Sequence, residues 1–398
     1  MTETYDIVIA GGGIAGLSAA AVFGAAGRNV LCVDPAPPVT DRDDPDADLR
    51  TTAILQPGRA VLSDAGVWPL LDDHAAPLQV MRIVDAGGDE PEPRIVRDFN
   101  ASDISDQPFG WNLPNWLLRR ELLSFLSRLP TVSLRLGIGA TSLVARTKEA
   151  RVGLSDGSSV ACKLVLAADG RHSLMRTAAG IGVRTSRYGQ KALAFAVTHP
   201  IPHENVSTEI HRTGGPFTLV PLPDRDGAPA SAVVWMEDGP TALRLQSMDV
   251  ADFEAEMTRR SCGLFGPLSL ASRRSVWPII SQIADRLDGR RVALMDEAAH
   301  VVPPIGAQGL NMSLADLASL RDLSQAHAGD LGSPAMLSAY HAARYNDLRL
   351  RVNGVDMLNR ASQVTAQPLR DARAAGLQAL YAAGPVRKTL MQMGLGMR

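Results

Sequence analysis

Cysteine is scarce in this chain, and neither sign of charge dominates it. Cys32, Cys162 and Cys262 are far apart and odd in number, which argues against a disulfide framework, and no Cys/His spacing suggests a metal. Cys32 and Cys162 lie in apolar, strand-like runs and read as packing residues. The net charge is only −2, and no basic run interleaves with the sparse aromatics, so nucleic acid is not an expected partner. Long hydrophobic runs are missing too. No window of about 18 uninterrupted apolar residues exists, so no membrane-spanning helix is expected. The N-terminus lacks the basic n-region and unbroken apolar core of a secretion signal. These absences together point to a reducing cytoplasm.

What is present is alternation on the scale of domains. At 398 residues the chain can form two or three cores. "YDIVIA", "GGGIAG", an alanine-rich helix closed by Gly27 and "NVLCVD" make a β-α-β unit in about thirty residues, hence a parallel pair with a right-handed crossover. From Leu78 the patterning turns to strands, "NWLLRRELLSFLSRL" reads as an amphipathic helix, and 190–283 is strand-rich with one helix, "VADFEAEMTRR". From Gly309 onward the pattern is helical. The expected fold class is α/β: a discontinuous Rossmann-like dinucleotide domain over 1–72, 100–176 and 284–325, a β-rich domain over 73–99 and 177–283, and a helical region over 326–398.

Three segments carry chemistry. Gly11-x-Gly13-x-x-Gly16 follows a strand, opens a helix and precedes a strand ending in Asp34. In that context Gly11 permits a tight turn, Gly13 lets the backbone approach a pyrophosphate, Gly16 allows close helix–strand packing, and Asp34 can accept from a ribose. "LVLAADGRHSLMR" delivers Asp169 and Gly170 from a strand into a turn, and Ser173 could cap the next helix. "RVALMDEAAHVVPPIGAQGLN" ends a strand at Asp296 and Glu297, where ligands bind in doubly wound sheets, and its Pro/Gly turn feeds a second helix. A nucleotide at the first site does not need this third element, whereas a cofactor with a second end does.

In this order and spacing, the three segments resemble the FAD-binding signature of the aromatic-ring flavoprotein monooxygenases, the p-hydroxybenzoate hydroxylase fold, and most closely their ubiquinone-biosynthesis hydroxylase branch. "DLRTTAILQPGRAVLSDAGVW", "AADGRHSLMR", "AAHVVPPIGAQGLN" and "YHAARYNDLRLRVNGVDMLNR" carry the resemblance over almost the whole chain. It implies that Gly11, Gly13, Gly16, Asp34 and Arg50 hold the ADP half of FAD and the approach to the flavin ring. It also implies that Asp169 and Gly170 touch FAD and help receive NAD(P)H, for which no second glycine motif exists. Glu297 would take the ribityl chain, and Pro304, Gly306, Gln308, Gly309, Leu310 and Asn311 would line the flavin end. Two positions depart from the pattern. Asp296-Glu297 stands where Gly-Asp is usual, which casts Asp296 as a solvated strand-end acid. Asn115-Trp116 replaces Asn-Arg, which leaves Arg120 either as a substitute contact to the cofactor or as an ion-paired helix arginine.

The implied reaction is hydroxylation of an electron-rich ring with NAD(P)H as reductant and O2 as co-substrate, on a polyprenylated phenol or quinol. No catalytic base is evident; His300 reads as structural, and Tyr188 and His211 are weak candidates. "VRKTLMQMGLGMR" could form a basic amphipathic helix that meets the inner face of a membrane or a quinone-biosynthesis complex, or packs on the protein's own core. Two alternatives stay open: a hydroxylase of a soluble aromatic, and a non-catalytic member of such a complex.

Overall fold

The computed structural model describes residues 3–396. Its first layer is an eight-stranded sheet. The strands Asp288–Gly289, Val292–Leu294, Ser159–Ala167, Glu3–Ala10, Val30–Asp34 and Val132–Leu136 lie side by side in that order. The inner pairs are parallel: Ile7 pairs with Leu164 on one side and Val30 on the other. These strands are buried on both faces, as parallel sheets require, and read as unbroken Val/Ile/Leu/Ala runs for that reason. Cys32 and Cys162 pack inside this layer, where burial pushes both thiols up to about 12. Helix Ile14–Ala25 returns over the sheet and Gly27, at φ +78°, ends it. The carboxyl ends of four neighbouring strands therefore open on one edge, at Ala10, Asp34, Ala167 and Leu294.

The second layer is a nine-stranded, mostly antiparallel sheet built on the sixteen-residue strand Val183–Thr198. Val80–Asp85 and Ile95–Asn100 join its far edge, Val80–Asp85 running parallel to Val206–His211. One face is closed by an aromatic core of Phe195, Phe217, Trp235 and Phe253, against which helices Gly239–Ser247 and Val250–Arg260 contribute Ala242, Leu245 and Met257. The first of these helices is not expected from the sequence. On the other face Ala192, Met236 and Ile279 pack against Ile305 and Val355. A three-stranded sheet of Thr51–Leu55, Gly110–Pro114 and Ala76–Leu78 lies in the same region.

Helices Gln308–Ala326, Pro334–Ser362, Gln367–Ala382 and Gly384–Leu395 complete the chain. The last of them does pack on the body, through Met391 and Leu395 against Leu55, Phe99 and Phe109. Its Val386, Leu390 and Met393 remain exposed. No helix of the described residues is long and apolar enough to cross a membrane.

Candidate functional site

The three glycines of the first turn have different physical reasons to be glycine. Gly11 has φ +112°, and a Cβ on it would stand 2.1 Å from the Ala168 carbonyl oxygen. A Cβ on Gly16 would lie 2.0 Å from the Gly11 carbonyl oxygen. Gly13 is extended at φ −69°, and a Cβ there meets nothing within 4 Å. The protein's own packing needs the first two, whereas Gly13 borders an open cleft of about 670 Å³. Helix Ile14–Ala25 starts here with no side-chain cap and no acid in its first turn, which leaves its N–H groups for an anionic ligand. Asp34 accepts from the Gly12 N–H at 2.6 Å and the Ala36 N–H at 2.9 Å. Those bonds fix its carboxylate at the strand end, with lone pairs left for a ribose.

Asp169 lines the same cleft and closes its own turn, accepting from the Met175 N–H at 3.0 Å and from the Ser173 hydroxyl. Ser173 caps the short helix beyond by accepting from the Arg176 N–H at 2.9 Å. Gly170, at φ +81°, turns the chain so that Arg171 reaches Glu297, donating from Nε to Oε2 at 3.2 Å. Arg120 is not brought to the cleft. It pairs with the adjacent Glu121 at 2.7 Å and covers the Trp116 ring. Its neighbour Arg119 lines the cleft instead, at 3.3 Å from Asp48.

Asp48, a residue not singled out in the sequence, anchors this wall. It takes a bidentate pair of bonds from Arg50 at 2.7 Å each and one from Asn115 Nδ2 at 3.0 Å. Burial opposes its ionisation, but Arg50, Asn115 and Arg119 together hold its carboxyl below the usual range. Arg50 also lies over the Trp277 ring at 5.1 Å, so the nine-stranded sheet meets the wall of the cleft at this side chain.

Asp296 is not the solvated acid expected. It adopts φ +56°, the left-handed region, at the start of a one-turn 3-10 helix after the strand. A glycine is at home in that conformation, and Asp is among the side chains that tolerate it. Its carboxyl turns inward, accepts from Ser313 Oγ at 2.9 Å and lines the cleft. Burial, and then the neighbouring Glu297 charge, push it above the ordinary range.

Beyond Glu297 the cleft meets a second cavity of about 1230 Å³, and Arg50, Asn115, Glu297, Gly309 and Leu310 line both. Pro303, Pro304 and Ile305 form one wall. Gly306 and Ala307 are both left-handed, at φ +64° and +54°, and swing the chain into helix Gln308–Ala326. That helix begins one residue before the expected Gly309 and also has neither a side-chain cap nor an acid in its first turn. Asn311 ties it to strand Thr51–Leu55, accepting from the Leu55 N–H at 2.8 Å and donating to the Ala53 oxygen at 2.7 Å. Gln308 ties it to the last helix, donating to the Gly394 oxygen at 3.0 Å while accepting from Arg351 at 2.8 Å. His300 is buried behind it and held at 2.8 Å by Asp316, itself paired with Arg344. Tyr188 bonds Asp356 and lies outside both cavities; burial, then that bond, raises its hydroxyl to about 12. Two uncapped helices, an open glycine and two joined cavities fit a long, two-ended anionic dinucleotide.

Comparison with known proteins agrees. Residues 4–349 match the family model described as FAD binding domain. The ubiquinone hydroxylase UbiL of Rhodospirillum rubrum is 32% identical, over 99% of this chain and 90% of that protein. The 3-demethoxyubiquinol 3-hydroxylase of Escherichia coli is 25% identical over 99% of each. Among solved structures, p-nitrophenol 4-monooxygenase PnpA from Pseudomonas putida shares the fold at TM-score 0.80 and 19% identity, covering 100% of this chain and 99% of that one.

Proposed function

The chain belongs to the FAD-binding family whose model spans its residues 4–349, and from that membership we propose that it hydroxylates the ring of a polyprenylated phenol or quinol in ubiquinone biosynthesis. Bound FAD supplies the oxidation chemistry, drawing on NAD(P)H and O2; the chain's part is to bind, orient and exclude water. In this reading the Gly11–Gly16 turn and Asp34 hold the ADP half, and Asp169 and Asn115 flank the middle. Arg50, Glu297 and the segment from Pro304 to Asn311 receive the ring end. The positive end of helix Gln308–Ala326 would favour negative charge on the reduced ring, and Pro303 and Pro304, which line the cavity, would help keep water from it.

One observation carries the choice of substrate. The cavity at the ring end continues to apolar side chains of the C-terminal helices, among them Leu350, Leu358, Leu390 and Met393. These are exposed, at 60%, 60%, 45% and 45%. A small soluble phenol needs no such apolar route to the surface; a polyprenyl chain does. The same exposed side chains, with the exposed Lys388 in the same helix as Leu390 and Met393, support peripheral contact with the inner face of a membrane.

The test uses FAD-loaded protein with NAD(P)H, oxygen and a set of phenols with and without prenyl chains, read by mass spectrometry for one added oxygen atom. Hydroxylation of prenylated phenols in preference to bare ones is the expected result. Equal or better turnover of bare phenols moves the protein to the soluble-aromatic reading. Deleting the gene should make a quinone precursor accumulate, and an unchanged ubiquinone pool would defeat the pathway assignment.

A further inference from the structure

The floor of the larger cavity is the nine-stranded sheet, and it presents a carboxylate that differs from the others there. On strand Val206–His211, Thr208 and Ile210 are fully buried on the far face, Ile210 within the aromatic core. The alternate residues Ser207 and Glu209 line the cavity. Four acids line it in all: Glu209, Glu297, Asp322 and Asp347. Glu297 is paired with Arg171 at 3.2 Å, Asp322 with Arg321 at 2.9 Å, and Asp347 with Arg344 and Arg351 at 2.7 and 3.1 Å. Glu209 has a histidine instead, His211 Nε2 at 2.7 Å from Oε1.

That difference decides what Glu209 can do. An arginine presents a fork of donors and keeps its charge at every physiological pH, which ties a carboxylate down as a permanent anion. A single imidazole N–H engages one oxygen only. The carboxylate accepts, so the ring donates from Nε2, and its Nδ1 is buried without a partner. Glu209 Oε2 has no hydrogen-bond partner among the described residues. Thr218, its cross-strand neighbour, also lines the cavity. The side chain is 14% exposed, so it faces an enclosed space and not bulk solvent.

We propose that Glu209 takes the proton of the substrate's ring hydroxyl and that His211 is the residue that positions it. The inference rests on the hydroxylase reading. As the ring carbon bonds to the incoming oxygen atom, the hydroxyl becomes a carbonyl: its O–H bond breaks, the electron pair stays on oxygen, and the proton passes to Glu209 Oε2. The O–O bond that held the transferred atom breaks and its electron pair leaves on the other oxygen, which takes up the proton lost from the newly bonded carbon and ends as water; the ring is aromatic again, and Glu209 returns its proton to the ring oxygen. A positioned general base of this kind is worth roughly 10²–10⁴ in rate.

The test compares wild type, Glu209→Gln and Glu209→Ala, all loaded with FAD. Glu209→Gln keeps shape and polarity but cannot take a proton. Hydroxylation should fall at least a hundredfold while NAD(P)H oxidation continues. Without reductant, a prenylated phenol and its methyl ether are titrated against the fluorescence of Trp277 and its fellow tryptophans. Wild type should favour the phenol, and Glu209→Ala should lose that preference. His211→Leu should lower the hydroxylation rate about tenfold, and His211→Gln, whose amide can still donate to the carboxylate, should recover most of it. Hydroxylation by Glu209→Gln within threefold of wild type overturns the inference, as does an unchanged phenol preference in Glu209→Ala. If wild type itself hydroxylates no phenol, the hydroxylase reading fails first and takes the inference with it.

Discussion

Replacing Gly13 by alanine should separate the needs of the cofactor from those of the fold. The residue is extended at φ −69°, where alanine is comfortable, and its Cβ would meet no protein atom within 4 Å. The unfolded chain loses freedom, so the apoprotein should gain about 0.4–1 kcal/mol. The methyl group would, however, stand in the space where phosphates must approach the helix N–H groups to about 2.9 Å. Losing one charge-assisted bond of that kind costs roughly 1.5–3 kcal/mol, which weakens FAD binding about tenfold to a hundredfold. Gly16→Ala is the contrast. Its Cβ would lie 2.0 Å from a backbone oxygen, so helix and turn must part by about 1 Å, at a cost at or above the usual 1–3 kcal/mol of overpacking. The assay pairs thermal melts of apoprotein with a flavin-fluorescence titration. Wild-type FAD affinity in Gly13→Ala would refute the placement of the phosphates, and an apoprotein loss equal to that of Gly16→Ala would refute the open geometry.

Asp296→Asn should stabilise the protein at neutral pH, because asparagine also accepts the left-handed backbone and can keep the Ser313 bond. Burial and Glu297 raise the Asp296 carboxyl above 3.8. The folded state therefore resists ionisation, and the penalty is absent below about pH 3.8, grows as pH rises through the folded value and is complete above it. Melting temperatures of the two proteins should converge in acid and separate above it, and a constant gap would count against the buried charge. Asn311→Ala removes the acceptor for the Leu55 N–H and the donor to the Ala53 and Ala307 oxygens. Urea unfolding should show a loss of about 2–4 kcal/mol, together with weaker FAD binding, and a loss under 1 kcal/mol would mean that water replaces those bonds.

The parts of the site legible in the sequence are those in which one short stretch contains its own reason. Gly11, Gly13 and Gly16 could be assigned their roles because strand, turn and helix follow without interruption. Long-range pairing was not legible. Thr51–Leu55 becomes a strand only because Gly110–Pro114 lies beside it, some sixty residues away. The choice between Arg119 and Arg120 turns on which way one helix faces. The signal was there: Arg119 stands four residues after Asn115 and so shares its face, and both bond Asp48. Glu209 was missed for a related reason. The alternation Ser207, Glu209, His211 marks one face of a strand, but which face meets a cavity is set by neighbours remote in sequence.

The bonds of Gln308 bear on the C-terminal region as a whole. The segment that lines the larger cavity at the start of helix Gln308–Ala326 is held from two directions, by Asn311 to Thr51–Leu55 and by Gln308 to Gly394 and Arg351. Arg351 shares Asp347 with Arg344, which reaches Asp316 and through it His300. A continuous set of polar contacts thus runs from the strand end beside the cofactor cleft, through the core of the long helix, to the last helix of the chain. The apolar side chains beside that last helix would guide a prenyl tail. In the proposed function a tail seated there would lie against the helix that Gln308 grips. The C-terminal helices thus form part of the wall of the larger cavity, and shortening the chain before Gly394 should weaken FAD binding in a flavin-fluorescence titration before it lowers the melting temperature.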